Sequence, residues 1–294
     1  MSLRRIRTSW MFYVSVAPFF LLFAIFGAIP IGYAFYAGFT RWDGLTDPQW
    51  IGLKNYAQIF DDPVFRTTIV NTLYIWIGST ILTVGLAFGL AFLVNEYVFV
   101  GRGFFRVVFL FPLLVAPAVT AIIVGVLFSP TSGIVNAVWG VFAGHKVTFD
   151  WLDSTRWIKP IIILMIAWRW TGWHFIIFLS GLQTISRDLY DAARIDGANG
   201  FQVFRSITFP LMIPVLLFSV VSATVGGLQV FDEPYVLTGG SGGTLNSGNT
   251  LGMYVYQTAF QEFRFGRAAA MSYVVFALIA LFSLINVRVL RART

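Results

Sequence analysis

The chain has 294 residues, of which 57% are hydrophobic, 18% aromatic and only 11% charged; a mean hydropathy of +0.78 places it in lipid rather than in water, since soluble domains carry about 25% charged residues. With no cysteine and only His145 and His174, thiolate nucleophiles, a disulfide scaffold, Cys-ligated zinc, iron–sulfur clusters and a histidine-rich metal site are excluded. The net charge of +7 reads as the bias of basic residues toward the cytoplasm, not as a nucleic-acid surface.

A helix needs about 20 mainly apolar residues to cross roughly 30 Å of hydrocarbon. The uncharged windows predict an all-α, polytopic membrane protein with six transmembrane helices, at about residues 10–39, 67–96, 106–128, 158–184, 206–231 and 265–288. The first window is too long for the apolar region of a cleaved signal peptide. Pro18 and Pro30 within it are tolerable, because neighbours in a membrane re-satisfy freed backbone groups. In chain order, the 41–66 segment follows, with Trp42, Trp50, Tyr56, Phe60 and Phe65 suited to an interface. Asp61-Asp62 reads as a turn before Pro63 that caps the next helix, in preference to the aspartate-rich metal motif of prenyl-transfer enzymes. Ser129-Pro130-Thr131-Ser132-Gly133 ends the third crossing in a surface loop. Gly239-Gly240-Ser241-Gly242-Gly243 reads as a flexible loop after the fifth. It lacks the Gly-Lys-Ser/Thr ending of a phosphate-cradling loop, and no such sequence occurs elsewhere, so the chain does not hydrolyse ATP alone.

Eleven of the twenty Lys and Arg residues fall on the side of the N-terminus: Arg4, Arg5, Arg7, Arg102, Arg106, Arg187, Arg194, Arg205, Arg288, Arg291 and Arg293. That side meets four acids, whereas the opposite side has nine acids and eight bases. The bias predicts that both termini are cytoplasmic. Arg169 alone is left at membrane depth.

Residues 186–206 form the one polar cytoplasmic stretch of any size. Ser186 can cap a helix, and Asp188 suits its positive first turn. Leu189, Ala192 and Ala193 share a face that the alanines keep shallow, as close approach by another protein requires. Gly197 supplies the left-handed residue that ends a helix, and a second short helix brings Phe201, Phe204 and Ile207 to one side. Three aspartates balance three arginines here, so a soluble partner fits this surface better than anionic lipid does.

Asp191-Ala192-Ala193-x-x-Asp196-Gly197-Ala198, followed by Phe204, Ile207, Pro210 and Pro214, resembles the coupling motif of ABC importer permeases, with Asp191 where the family usually has Glu. Gly52-Leu53-Lys54-Asn55-Tyr56, Asn71-Thr72-Leu73, Ser180-Gly181-Leu182-Gln183-x-Ile185, the 231–240 stretch and Gly266-Arg267-Ala268-Ala269-Ala270-Met271-Ser272 are similar to the carbohydrate branch, in particular to first permease subunits of the maltose and glycerol-phosphate type. The resemblance runs from about residue 10 to 290, without the extra N-terminal helices and large outer domain of the maltose archetype. It implies one transmembrane domain over residues 1–294 with the type I importer permease fold, in the inner membrane. It also implies a second, similar permease, two ATPase subunits that dock on the coupling helices and bind ATP and magnesium, and a solute-binding protein that delivers a sugar from outside. Asp191, Ala192, Ala193, Asp196, Gly197, Ala198, Phe204 and Pro210 would carry the coupling. No catalytic residue, metal or cofactor is expected in this chain.

Sugars offer apolar C–H faces ringed by hydroxyls, so a pathway wants aromatic platforms and a few hydrogen-bonding groups. The fourth crossing supplies Arg169, Trp170 and Trp173; by the resemblance, the two tryptophans fall where pathway residues line the sugar site. At i and i+3, both rings would look into one cavity. Gln229, Phe231 and Asn71 complete the candidate set. A lipid-facing tryptophan belt is the competing reading; Arg169 opposes it, because a guanidinium at that depth needs a polar cavity or a partner, and it could pair with phosphate were the sugar phosphorylated. Two other functions stand as rivals: a membrane enzyme acting on lipid-linked substrates, and an ion-coupled secondary transporter. Both want intramembrane acids, and the neutral stretches 11–39, 67–95, 107–145, 160–186, 206–231 and 268–287 contain none. His174, alone among Trp and Phe, reads as a packed and hydrogen-bonded residue rather than a catalyst.

Overall fold

The computed structural model describes residues 10–98 and 101–291. Arg4, Arg5, Arg7 and Arg293, counted above for orientation, lie outside the described residues. The chain divides into two compact units, residues 1–61 with 255–274 and residues 62–254 with 275–294.

In the first unit, α1 (Trp10–Phe23) runs through a π-helical turn (Ala24–Ala28) into α2 (Ile29–Ala37). The wide turn lies directly before Pro30, whose ring would collide with the carbonyl of Phe26 in a regular α-helix and which has no N–H to donate. A hairpin of β1 (Thr40–Arg41) and β2 (Gln49–Trp50) follows, with Thr40 opposite Trp50. Its connection is pinned by Asp43, whose Oδ1 accepts from the backbone N–H of Thr46 and Leu45 at 2.8 and 3.0 Å. Those bonds, that from Thr46 first, hold the Asp43 carboxyl down to about 2. In α3 (Lys54–Asp61), Asn55 donates to the carbonyls of Gly38 and Thr40, tying this helix back to α2 and the hairpin.

The second unit is built on α4 (Pro63–Tyr97) and α8 (Ile158–Leu182). Val84, Ala87, Ala91 and Val94 of α4 bury against Phe175, Phe178, Leu179 and Leu182 of α8, with Met212 of α11 (Phe209–Leu228) closing the cluster. As expected, Asp62 caps α4: its side chain accepts from the N–H groups of Val64 and Phe65. The crossing expected at 106–128 is not one rod. It is α5 (Arg102–Leu114) and α6 (Pro117–Leu127), bent by 89°. The cause is local: Ala116 precedes Pro117, whose Cδ disfavours the helical region for its neighbour, and Ala116 sits at ψ 140°. Among the described residues five helices are thus long and apolar enough to cross a membrane, or six if the bent pair is counted as one span.

Beyond α6, the Ser129–Gly133 loop leads into a short apolar helix that the charge windows do not reveal, α7 (Ile134–Ala143). After α8 come α9 (Arg187–Ile195), α10 (Gly200–Val203) and a π turn (Phe204–Thr208) that enters α11. The chain then turns through α12 (Asp232–Leu237) and reaches α13 (Leu251–Tyr256) and α14 (Phe265–Arg291). The 239–243 stretch, expected as a flexible loop, is instead folded into hydrogen-bonded turns: Gly240 N–H donates to the Tyr235 carbonyl at 2.7 Å and Gly248 N–H to the Gly242 carbonyl at 2.8 Å. Asn71 and Thr72 of α4 hold its far end, Asn71 by donating to the Asn246 and Asn249 carbonyls and Thr72 by accepting from Leu251 N–H.

Candidate functional site

A cavity of about 400 Å³ opens among α4, α6, α8, α11 and the start of α12. On α8, Ile166, Arg169, Trp170 and His174 recur at i, i+3, i+4 and i+8, one helical face, and all four line it. Ser79, Thr80 and Thr83 of α4 form the facing wall, and Ser222, Gly226, Gln229 and Phe231 come from α11 and the segment after it.

Arg169 forms a buried ion pair with Glu233, the two side chains being 8% and 7% exposed. Glu233 stands in the first turn of α12, where the positive end of the helix favours an acid. The Arg169 guanidinium also lies over the Trp170 ring, 5.7 Å from its centroid. His174 Nδ1 shares a hydrogen bond of 2.6 Å with Ser219 Oγ. Around the cavity three buried polar atoms have no hydrogen-bond partner among the described residues: Arg169 Nε, Thr80 Oγ1 and Thr83 Oγ1. Each such group costs about 1–3 kcal/mol while it stays unmet. An apolar ring beside unmet donors and hydroxyls is the chemistry that a hydroxyl-rich solute satisfies.

Of the six expected pathway residues, Arg169, Trp170, Gln229 and Phe231 line this cavity. Trp173 and Asn71 do not. Helical spacing fixes a side chain's angle about its own axis but not what stands opposite, and Trp173 is left half-exposed outside the lining. Asn71 is buried and engaged in holding the 246–249 backbone. The phosphate imagined as a partner for Arg169 meets a competitor, since Glu233 already occupies that guanidinium. Glu233 itself escapes the sequence reading because it lies two residues past the fifth window and counts there as an outer-loop acid. Ser79-Thr80-x-x-Thr83 was legible as hydroxyls on one face of an otherwise apolar helix.

The 186–206 segment folds as its local chemistry dictates. Ser186 Oγ accepts from Asp188 N–H at 3.2 Å, capping α9. Asp196 follows the helix and Gly197 sits at φ +77°. Gly197 N–H then donates to the Arg194 carbonyl and Ala198 N–H to the Ala193 carbonyl, closing the end of α9. Asn199 and Gln202 form a reciprocal capping box that starts α10. Phe204 turns inward, its ring 5.4 Å from Phe92 and 6.2 Å from Phe88 of α4. Pro210 follows the π turn Phe204–Thr208 as Pro30 follows its own, and the wide turn spares its ring a collision with the Ser206 carbonyl. Leu189, Ile195 and Phe201 stay exposed, so the described residues leave this face of the segment uncovered.

No group of three His, Asp or Glu side chains that could hold a metal gathers among the described residues. The lactose transport system permease protein LacF of Rhizobium radiobacter is 32% identical over 97% of this chain and 94% of its own length. The arabinooligosaccharides transport system permease protein AraP of Bacillus subtilis is 31% identical over 94% of this chain and 87% of its own. A subunit of a bacterial alginate ABC transporter, solved in complex with an alginate pentasaccharide-bound periplasmic protein, superposes with a TM-score of 0.83 at 23% identity, over 96% of this chain and 94% of that one; it shows the shared fold. Residues 81–293 match the model of the binding-protein-dependent transport system inner membrane component, and with relatives this similar along nearly their whole length the chain belongs to that family of transport permeases.

Proposed function

We propose that this chain is the sugar-translocating permease subunit of an ATP-driven importer, and that the cavity beside Arg169 lies on the sugar's path. The observation that carries the reading is the lining itself: Arg169, Thr80, Thr83 and Gln229 gather around one cavity with the Trp170 ring, and Arg169 Nε, Thr80 Oγ1 and Thr83 Oγ1 lie buried in its walls with no hydrogen-bond partner among the described residues. Arg169, Trp170, Gln229 and Phe231 are its pathway residues; Trp173 and Asn71 stand outside the lining and would act indirectly. The substrates named for LacF and AraP support a sugar. The whole chain serves as one transmembrane domain whose crossings are those given above, with both termini in the cytoplasm.

The partners follow from the same reading. A second, similar permease completes the pathway, and a solute-binding protein presents the sugar on the outer side. Of the two ATPase subunits, which bind ATP and magnesium, one seats on the uncovered face of α9 and α10 through Asp191, Ala192, Ala193, Asp196, Gly197 and Ala198, and the other seats on the second permease. Phe204 and Pro210 anchor that face to the membrane helices rather than meeting the partner. Reconstituted vesicles test this. Sugar uptake should require the ATPase subunits and internal ATP, and Thr80→Val with Thr83→Val should reduce it severalfold while basal ATP hydrolysis persists. Uptake without any ATPase would return the reading to an ion-coupled transporter.

A further inference from the structure

We infer that the cavity beside Arg169 admits neutral polyhydroxy ligands and turns away carboxylate- or phosphate-bearing ones; this rests on reading that cavity as the solute pathway. Three charged side chains line it: Arg169, Asp232 and Glu233. The one cation is already committed, because Glu233 holds the Arg169 guanidinium in a buried pair. Asp232 is exposed beside it and faces no second cation in the lining. His174 is occupied by the Ser219 hydroxyl rather than by an acid.

An incoming uronate or phosphate would therefore be a third anion against a single guanidinium. The walls contributed by Pro117, Ile166, Val230 and Phe231 are apolar, which weakens screening and enlarges that repulsion. A neutral sugar meets no such cost. Each hydroxyl both donates and accepts, so one ligand can donate to the Asp232 carboxylate and exchange hydrogen bonds with the polar side chains that share the lining, among them Gln229 and Ser222. Its C–H face rests on Trp170. The ion pair thus acts as a charge filter: it cancels the cation that would otherwise recruit anions, and Asp232 tips the remaining balance negative.

The absence of cysteine makes a direct test available. Ser222→Cys places a single thiol of this chain on the cavity lining. In the assembled transporter in proteoliposomes, its modification by size-matched methanethiosulfonates bearing a trimethylammonium or a sulfonate group is followed by mass spectrometry of this chain. The expected ratio favours the ammonium reagent by about tenfold or more over the ratio for free cysteine. Adding Asp232→Asn should return the ratio toward that of free cysteine with the ion pair intact, and Glu233→Gln, where it inserts, should favour the sulfonate. A Ser222→Cys ratio equal to that of free cysteine, or an Asp232→Asn ratio unchanged from the parent, overturns the inference. The pathway reading is read separately from the same thiol. Modification by the sulfonate reagent added outside should differ severalfold between nucleotide-free and ATP–vanadate-trapped transporter, and equal rates in the two states overturn that reading whatever the charge ratio.

Discussion

Arg169 and Glu233, 64 positions apart in the chain, meet as a buried ion pair on the wall of a cavity that brings four of the expected pathway residues together. Removing one partner of such a pair leaves an uncompensated buried charge, which costs about 3–5 kcal/mol, whereas replacing both by apolar groups is often neutral. Arg169→Met and Glu233→Met should each lower the unfolding temperature of the detergent-solubilised protein markedly. The double variant should recover most of that loss and still transport poorly, because the cavity has lost its polar wall. Single variants as stable as the parent would mean that the pair is solvated and contributes little.

The two tryptophans of α8 should separate. Trp170 lines the cavity beneath the Arg169 guanidinium; Trp173 is exposed outside it. Trp170→Ala removes the apolar platform and is expected to cut uptake at least about tenfold, the loss of roughly 1.4 kcal/mol of stacking and burial. Trp173→Ala should reduce it less than threefold. Uptake assays on matched amounts of membrane-inserted protein decide, and equal losses in both variants would assign the rings to a shared lipid-facing belt.

How far the sequence reaches depends on the range of each interaction. The ends of α9 were legible because Ser186 and Gly197 act on backbone groups a few positions away. The long apolar helices were legible because hydrocarbon thickness sets the length of uncharged sequence to look for. The Arg169–Glu233 pair was not: an arginine at membrane depth announces the need for a partner, but which acid answers depends on how α12 folds back over α8. The bend between α5 and α6 is written in Ala116-Pro117, yet proline is common enough in membrane helices that its presence alone does not separate a kink from a right angle.

Gly172 marks a contact that sequence could not locate. A Cβ built there would stand 1.9 Å from the Phe109 carbonyl oxygen and 2.5 Å from its carbon, so α5 and α8 touch backbone to backbone. Phe109 and Phe175 stack edge-on beside it, 4.9 Å between centroids. Gly172→Ala should push α5 away and destabilise the protein by about 1–3 kcal/mol, the usual range for overpacking. Thermal unfolding in detergent measures it, with an unchanged midpoint as the contrary result.

Sidedness gives a cleaner outcome. Ser132 lies in the loop between α6 and α7 that the distribution of basic residues assigns to the outer side, and it is exposed. Ser132→Cys in this cysteine-free chain should react with a membrane-impermeant maleimide added outside intact cells, while Asp191→Cys on α9 should react only after the membrane is opened. The reverse pattern would invert the orientation and move the proposed ATPase face to the wrong side.

The end of α9 tests the coupling. Gly197 holds φ +77°, and a Cβ there meets no atom within 4 Å, so a substitution suffers backbone strain rather than a clash. For an ordinary residue that strain is about 1–2 kcal/mol, enough to unwind the closing turn formed by the Gly197 and Ala198 N–H groups without unfolding a membrane domain. Asparagine visits this region several-fold more readily than most residues. Gly197→Val should therefore abolish uptake while the protein still inserts and still pairs with its partners, and Gly197→Asn should keep much of it. Ala193→Arg attacks the same surface differently, by placing a long cation on the shallow face beside Leu189. Communication between ATPase and pathway needs a shared element that both sites bias, and α9 can serve only while its end is fixed. Should Gly197→Val and Ala193→Arg both transport like the parent, ATPase docking on this face is wrong, and the exposed Leu189, Ile195 and Phe201 must be covered by something else.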